Sequence, residues 1–290
     1  MQEIIAIDGS SIRPPGAAEV IKAVHAATLA EGVPYVLIGA AGRDIVLEHI
    51  YEVESPSATR DVDFAVMLDG WPAYEALRER LAQAHGFEAG ARAYRLRAPQ
   101  GLLVDLIPFG GIEEPAGEIS LPPQHTRVIV TLGFAEAHAH ALLVEIDGIG
   151  PIRVASLAGL SVLKLLAWRD RGAARDAEDF ALLARNYYDL LGEEVYLRHA
   201  DLFDEDDFEM LTASARVLGR DAGVLTAGSA PLREALAALL EEQLDETRRI
   251  SPLATAMGTG YVRGHDERIR CLRAYLRGFN ERGGLDPSAS

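Results

Sequence analysis

The chain has 290 residues, 49% hydrophobic and 25% charged, enough for one large domain or two ordinary ones with a sizeable core. Its formal charge of −16 argues against a polycationic wrapper of nucleic acid, and the composition is not that of a disordered, collagen-like or membrane chain. A single cysteine, Cys271, excludes an internal disulfide and any multi-cysteine zinc site. No apolar run approaches the roughly 18–20 residues of a membrane span. The opening MQEIIAIDGS lacks the basic-then-apolar plan of a secretory leader, so a cytoplasmic address with no membrane partner is expected.

Taken in chain order, Ala17 to Leu29 carries Val20, Ile21 and Val24 at helical spacing, and Gly32 is the stop. Tyr35-Val36-Leu37-Ile38 reads as a short strand ending at Gly39, with a helix from Arg43 to about Tyr51 broken by Ser55-Pro56-Ser57. Asp61 to Leu68 reads as a buried strand, and Pro72 to His85 as an amphipathic helix with proline in its first turn. Tyr94–Arg97 and Leu102–Ile107 flank Ala98-Pro99-Gln100-Gly101 as a hairpin would. Strand signals recur at Arg127–Thr131, Leu142–Ile146 and Ile152–Val154. Ser156 is a good N-cap for a helix running through Ser161 to Arg171. Helical patterns then continue at Asp176–Tyr188, Asp206–Leu218, Leu232–Arg248 and His265–Phe279, and the tail from Arg282 is Gly/Asp/Pro/Ser-rich. The change near residue 155 predicts two domains, 1–155 and 156–290.

The densest chemistry lies in Thr59-Arg60-Asp61-Val62-Asp63-Phe64. Residues two apart on a strand share a face, which puts Asp61 and Asp63 side by side, about 7 Å apart from a rise of ~3.3 Å per residue. Two carboxylates buried there unpaired would cost several kcal/mol each. Either a hard divalent cation with oxygen ligands offsets that cost, or both aspartates sit at an exposed strand start, paired with Arg60 or another arginine. Asp105 is a third such carboxylate, alone in the apolar run Leu102–Phe109. Three of them on neighbouring strands would form a negative cluster made tolerable only by metal or by raised pKa values. Upstream, Gly39-Ala40-Ala41-Gly42-Arg43-Asp44 opens a helix at a strand end, a geometry that offers backbone N–H groups to phosphate. Small residues there also let helix and strand pack closely.

A strand–small-residue turn–helix, then T-R-D-V-D-F, then V-D-L-I-P-F-G resembles the DNA polymerase β-like nucleotidyltransferase superfamily. The later segments Val154–Leu160, Lys164–Arg171 and Arg175–Phe180 narrow this. In that order they resemble the AbiEii-type nucleotidyltransferases, toxins of type IV toxin–antitoxin and abortive-infection systems, over residues of about 35 to 185. The resemblance implies an α/β (α+β) fold: a polymerase β-like core with a mixed sheet, followed by a mostly helical C-terminal domain completing a nucleotide and acceptor cleft. It implies an Mg²⁺-dependent enzyme that moves NMP from an NTP to an acceptor hydroxyl and releases pyrophosphate, with RNA, particularly a tRNA end, as acceptor and an antitoxin as protein partner.

By resemblance, Asp61 and Asp63 hold two Mg²⁺ ions (Mn²⁺ is an alternative) and Asp105 completes the site of the catalytic one. Two ions about 3.5–4 Å apart stabilise attacking and leaving oxygens in such displacements. Gly39, Ala40 and Arg43 become candidate nucleotide-binding positions, and Lys164 would reach the triphosphate. Asp176 or Asp179 would lie near the acceptor or metal. Composition lends Lys164 mild support, since of 28 cations 26 are Arg and only Lys22 and Lys164 are Lys; the alternative is a lysine snorkelling at the helix edge. Ala40 departs from the superfamily, which has Gly or Ser there, and offers no hydroxyl to phosphate. That departure sustains a second reading, a catalytically silent binding module, while the charge of −16 sustains a small-molecule or protein acceptor. The stretch His49–Ser57 makes the Gly39–Asp61 spacing longer than in compact superfamily members.

Several further residues have bland alternatives. Glu136, His138 and His140 alternate as strand ligands would, although their Ala-rich surroundings favour a helix or a solvated edge. Arg95 and Arg97 suit either a phosphate contact or a surface cross-strand row. Arg171 and Arg175 suit either a nucleotide contact or pairing with Asp170, Asp176 and Glu178, and the pairing is the reading favoured. The acidic run Asp201–Glu209 reads as a solvated helix start or an interaction face, and Cys271 as core filling.

Overall fold

The structure is a computed structural model that describes residues 4–55, 61–114, 117–121, 127–204, 208–247, 249–258 and 260–281. The expected break at Pro56-Ser57, the Thr59-Arg60 pair and the tail from Arg282 lie outside the described residues. The chain divides into two compact units, Met1–Ser156 and Leu157–Ser290.

The first unit is a mixed sheet with helices. In chain order it contains β1 (Ile4–Ile7), α1 (Ala17–Glu31), β2 (Tyr35–Ile38), α2 (Gly39–Asp44), a π-helical turn (Ile45–Ile50), β3 (Asp61–Met67) and α3 (Trp71–His85). There follow β4 (Glu88–Ala89), β5 (Arg95–Arg97), β6 (Leu103–Phe109), β7 (Glu118–Leu121), β8 (Arg127–Val130), α4 (Phe134–Ala139), β9 (Leu142–Ile146) and β10 (Gly150–Val154). Eight of the described strands form one sheet in the order β1-β9-β10-β2-β3-β6-β5-β4, and β7 and β8 pair separately. β3 runs parallel to β6 and antiparallel to β2. These are the strands whose sequences are nearly continuously apolar, because a central strand is covered on both faces. β2 is buried along its whole length, as are Val62, Phe64, Ala65 and Val66 of β3.

Local chemistry explains the boundaries. The α1 helix ends where Gly32 takes φ 64° and returns its N–H to Thr28 and Leu29. Trp71 and Pro72 open α3, and Gly86 closes it in the same left-handed conformation. The 98–101 segment makes the β5–β6 hairpin turn, with Gly101 N–H donating to the Ala98 carbonyl. Pro108 is tolerated inside β6 for a geometric reason. The Leu106 N–H, two residues earlier and therefore on the same edge, donates to Tyr94 O, and at Pro108 the strand has run past β5.

The second unit is helical: α5 (Leu157–Arg171), α6 (Ala174–Leu191), α7 (Glu194–Arg198), α8 (Met210–Leu225), α9 (Ala230–Leu244), α10 (Pro252–Ala256) and α11 (His265–Asn280). α8 and α11 cross at backbone contact. A Cβ placed on Gly278 would stand 2.0 Å from the Arg216 carbonyl oxygen, and one on Gly219 would stand 2.1 Å from that of Tyr275. Cys271 is fully buried in this packing, which pushes its thiol pKa up to about 12.

The structure refines several expected boundaries. The helix expected from Arg43 begins at Gly39, because Ala40, Ala41 and Gly42 already belong to it. The helix expected over 206–218 is Met210–Leu225, and residues 205–207 lie outside the described residues. Glu136 and His138 lie on α4, not on a strand.

Candidate active site

Register brings the three aspartates together. β3 and β6 pair Asp63 with Asp105 directly, and Asp61 lies two residues earlier on the same face of β3. One oxygen from each carboxylate falls within 4.8 Å of the others. The neighbouring residues Val62, Phe64, Val104 and Leu106 are buried, so the strands are fixed from below while the carboxylates share the other side. Tyr74 on α3 ties down the strand carrying Asp105: its hydroxyl donates to the Leu106 carbonyl at 2.9 Å. Burial pushes that phenol up to about 12.

The small-residue turn lies against this cluster. Antiparallel pairing sets Ile38 opposite Asp63, and the next residue, Gly39, has φ 71°. A Cβ on Gly39 would stand 2.1 Å from Asp63 Oδ2, so glycine is required both by conformation and by space. Gly42 is close-packed to a lesser degree, its Cβ position lying 3.0 Å from the Leu37 carbonyl oxygen. Ala40 is half-buried beside Gly39. Arg43 turns away from solvent: only 1% exposed, it donates through Nε and Nη2 to Asp44 Oδ1 at 2.8 and 2.6 Å and through Nη2 to Ser55 Oγ at 3.0 Å.

Arg95 was open to two readings, and its partners are Asp105 and Asp61. Its Nε donates to Asp105 Oδ1 at 2.6 Å and its Nη2 to Asp105 Oδ2 at 2.7 Å. Nη2 also lies 3.5 Å from Asp61 Oδ2. The hydrogen bonds to Asp105 hold the guanidinium pKa above its ordinary value. Arg97, opposite Leu103, is exposed. The sequence signal for Arg95 was its position in the hairpin partner of the Asp105 strand, but the register that selects Arg95 over Arg97 was not legible.

Three carboxylates converging from two rigid strands form an all-oxygen donor set, the chemistry a hard divalent cation takes. The Gly39 backbone leaves Asp63 the room a side chain would fill. The residues present therefore fit Mg²⁺ or Mn²⁺.

In the second unit, Lys164 of α5 reaches the first turns of α6. Its Nζ is 2.6 Å from Asp179 Oδ2 and 3.4 Å from Asp176 Oδ1. Asp176 is fully buried and also accepts two hydrogen bonds of 2.6 Å from Arg171. Burial opposes the charged form of Asp176, but the Arg171 hydrogen bonds and the Lys164 charge outweigh it and hold the carboxyl below its ordinary value. Lys164, Asp176 and Asp179 thus form one ion cluster, and Arg171 takes the pairing role read for it. Thr131 Oγ1 and the Nε2 atoms of His138 and His199 are buried without hydrogen-bond partners among the described residues.

A family model described as "Nucleotidyl transferase AbiEii toxin, Type IV TA system" matches residues 54–249, more than half of the chain. A solved structure, described as an antigenic nucleotidyltransferase-like protein from Paracoccidioides brasiliensis, is 18% identical over 67% of this chain and 91% of its own, with a TM-score of 0.36. Likeness at that level says nothing about the site. No curated protein matches the chain.

Proposed function

The chain belongs to the AbiEii nucleotidyltransferase family, and from that premise we propose that it moves NMP from an NTP to an acceptor hydroxyl and releases pyrophosphate. The observation that supports this reading is the convergence of Asp61, Asp63 and Asp105 within 4.8 Å. We assign these three to Mg²⁺ or Mn²⁺. A divalent cation bound there supplies charge neutralisation at the triphosphate and stabilises the developing charge of an in-line displacement at the α-phosphate.

The protein's own contribution is preorganisation. β3 and β6 hold the carboxylates in register, so little reorganisation remains at the moment of reaction. Gly39 brings bare backbone against Asp63, and we assign the amides that open the helix at Gly39 and Ala40 to the outgoing phosphates. Arg43 serves this turn from beneath, locking it to Asp44 and Ser55. Lys164, Asp176 and Asp179 are assigned to the same reaction on the family resemblance, Lys164 as a compact charge for the triphosphate.

RNA, particularly a tRNA end, is the acceptor we favour from the resemblance, and an antitoxin is the protein partner. The net charge of −16 favours a second reading, in which the acceptor is a small molecule or a protein hydroxyl. The test incubates the protein with each α-labelled NTP, Mg²⁺ and total RNA, beside an Asp61→Asn/Asp63→Asn variant. Label in RNA with equimolar pyrophosphate, absent from the variant, supports the first reading. Label in protein or in a small product supports the second. NTP binding by calorimetry without any transfer identifies a silent module and overturns the enzymatic reading.

A further inference from the structure

The candidate metal site already holds a cation of its own. Arg95 stands opposite Asp105 in the β5–β6 register, as Asp63 does on the other side in β3–β6. Its guanidinium engages both Asp105 oxygens, at 2.6 and 2.7 Å, in the bidentate arrangement that makes arginine–carboxylate pairs strong. The same Nη2 reaches toward Asp61. Side-chain exposure is 17% for Arg95 and 8% for Asp105, so bulk solvent screens this pair only weakly. Three clustered carboxylates repel one another, and the guanidinium offsets that repulsion.

A divalent ion drawing one oxygen from each aspartate uses the same region of negative potential. Two cations a few ångströms apart at one cluster repel strongly where screening is weak. Resting on the metal reading given above, we propose that Arg95 is a built-in counter-ion that competes with the divalent metal for Asp105 and Asp61. The metal then binds only as the guanidinium withdraws, and the resting protein's metal affinity is set low. A merely structural Arg95, holding Asp105 in place, would have the opposite consequence: its removal would loosen a ligand and weaken metal binding.

The test measures Mn²⁺ binding from the electron paramagnetic resonance of the free ion, at fixed ionic strength and without nucleotide. Arg95→Gln is expected to bind Mn²⁺ tighter by on the order of tenfold to a hundredfold, the scale on which residues around ligands tune metal affinity. Arg95→Lys keeps the charge and should stay near wild type, and adding Asp63→Asn should abolish binding in every background. Equal or weaker binding by Arg95→Gln, where wild type binds in an Asp63-dependent way, overturns the counter-ion proposal alone. Absence of Asp63-dependent binding in all backgrounds overturns the metal reading and the proposal with it. Should Arg95→Gln fail to fold, the wild type still decides. The Arg95 Nε–H resonance should lose its protection from exchange as Mg²⁺ saturates the protein, and retained protection at saturation overturns the proposal.

Discussion

Gly39 and Asp63 lie so close that a single methyl group cannot separate them: a Cβ on Gly39 would stand 2.1 Å from Asp63 Oδ2. The contact joins the two motifs that seemed independent along the chain, the small-residue turn and the D-x-D strand. Gly39→Ala therefore carries two penalties, about 1–2 kcal/mol for a left-handed alanine and the displacement of a carboxylate. A thermal melt should show a modest loss of stability, and Mn²⁺ titration a much larger loss of binding. Ala40→Ser, which adds a hydroxyl and leaves Gly39 in place, should leave Mn²⁺ binding unchanged.

Removing any one carboxylate should disable the site while sparing the fold. Asp61→Asn, Asp63→Asn and Asp105→Asn are each expected to lower metal affinity by at least about 100-fold, the upper range seen even for residues behind the ligands. Circular dichroism should remain that of wild type. Chelation with EDTA should abolish nucleotidyl transfer, and added Mg²⁺ or Mn²⁺ should restore it.

The Lys164 cluster separates stability from chemistry. Asp176→Asn removes a buried charge partner and should cost about 3 kcal/mol, the low end for buried pairs, since Arg171 is half-exposed and Lys164 keeps Asp179. The folded-state pKa of Asp176 is depressed below 3.8. Its contribution is thus fully present above the unfolded value and lost as pH falls through the folded one. Wild-type stability should fall with acid below about pH 4. Asp176→Asn should flatten that slope in part, since Asp201, held low by hydrogen bonds from Arg220, titrates in the same sense. Lys164→Gln should slow nucleotidyl transfer by on the order of 100-fold while leaving Mn²⁺ binding to the β-strand carboxylates intact.

The α8–α11 crossing admits no side chain at its centre. Gly278→Ala would press a methyl to within 2.0 Å of the Arg216 carbonyl oxygen, and both helices would have to part. A loss of about 3 kcal/mol or more is expected, at the upper end for overpacked cores. Urea unfolding measures it, and Gly228→Ala, where no atom of the described residues beyond its chain neighbours lies within 4 Å of the added Cβ, is the control.

The toxin role that the resemblance implies has a cellular readout. Expression of the wild type without a partner gene should arrest growth, and Asp63→Asn should relieve the arrest. Normal growth with well-expressed wild type would count against the toxin role.

Much of the site was legible because carboxylates inside apolar strands are costly and therefore conspicuous. Asp61, Asp63 and Asp105 stood out on that ground before any pairing was known, and the parallel β3–β6 register is what makes them one cluster. Arg95 was legible as a phosphate contact or a member of a surface row and not as the partner of Asp105, since a one-residue shift in the hairpin would have exchanged its side with that of its neighbours. β1 is not legible in the sequence despite the apolar run Ile4–Ile7, because a four-residue edge strand is specified by its partner, and that partner is β9, far along the chain. The α8–α11 contact was invisible for the same reason: glycines in a helix read as weak points until the helix that needs them is in place. Arg43 entered as a nucleotide-binding candidate through the resemblance, and its burial with Asp44 and Ser55 depends on a loop the pattern does not specify.

The central claim is that Asp61, Asp63 and Asp105 together hold the metal of a nucleotidyltransferase. Crystals grown with Mn²⁺ and a non-hydrolysable NTP, with diffraction recorded at the manganese absorption edge, test it most directly. The expected result is anomalous density bonded to oxygens of all three aspartates, with the triphosphate against it. Density elsewhere, or a triad with no manganese at saturating Mn²⁺, would contradict the account.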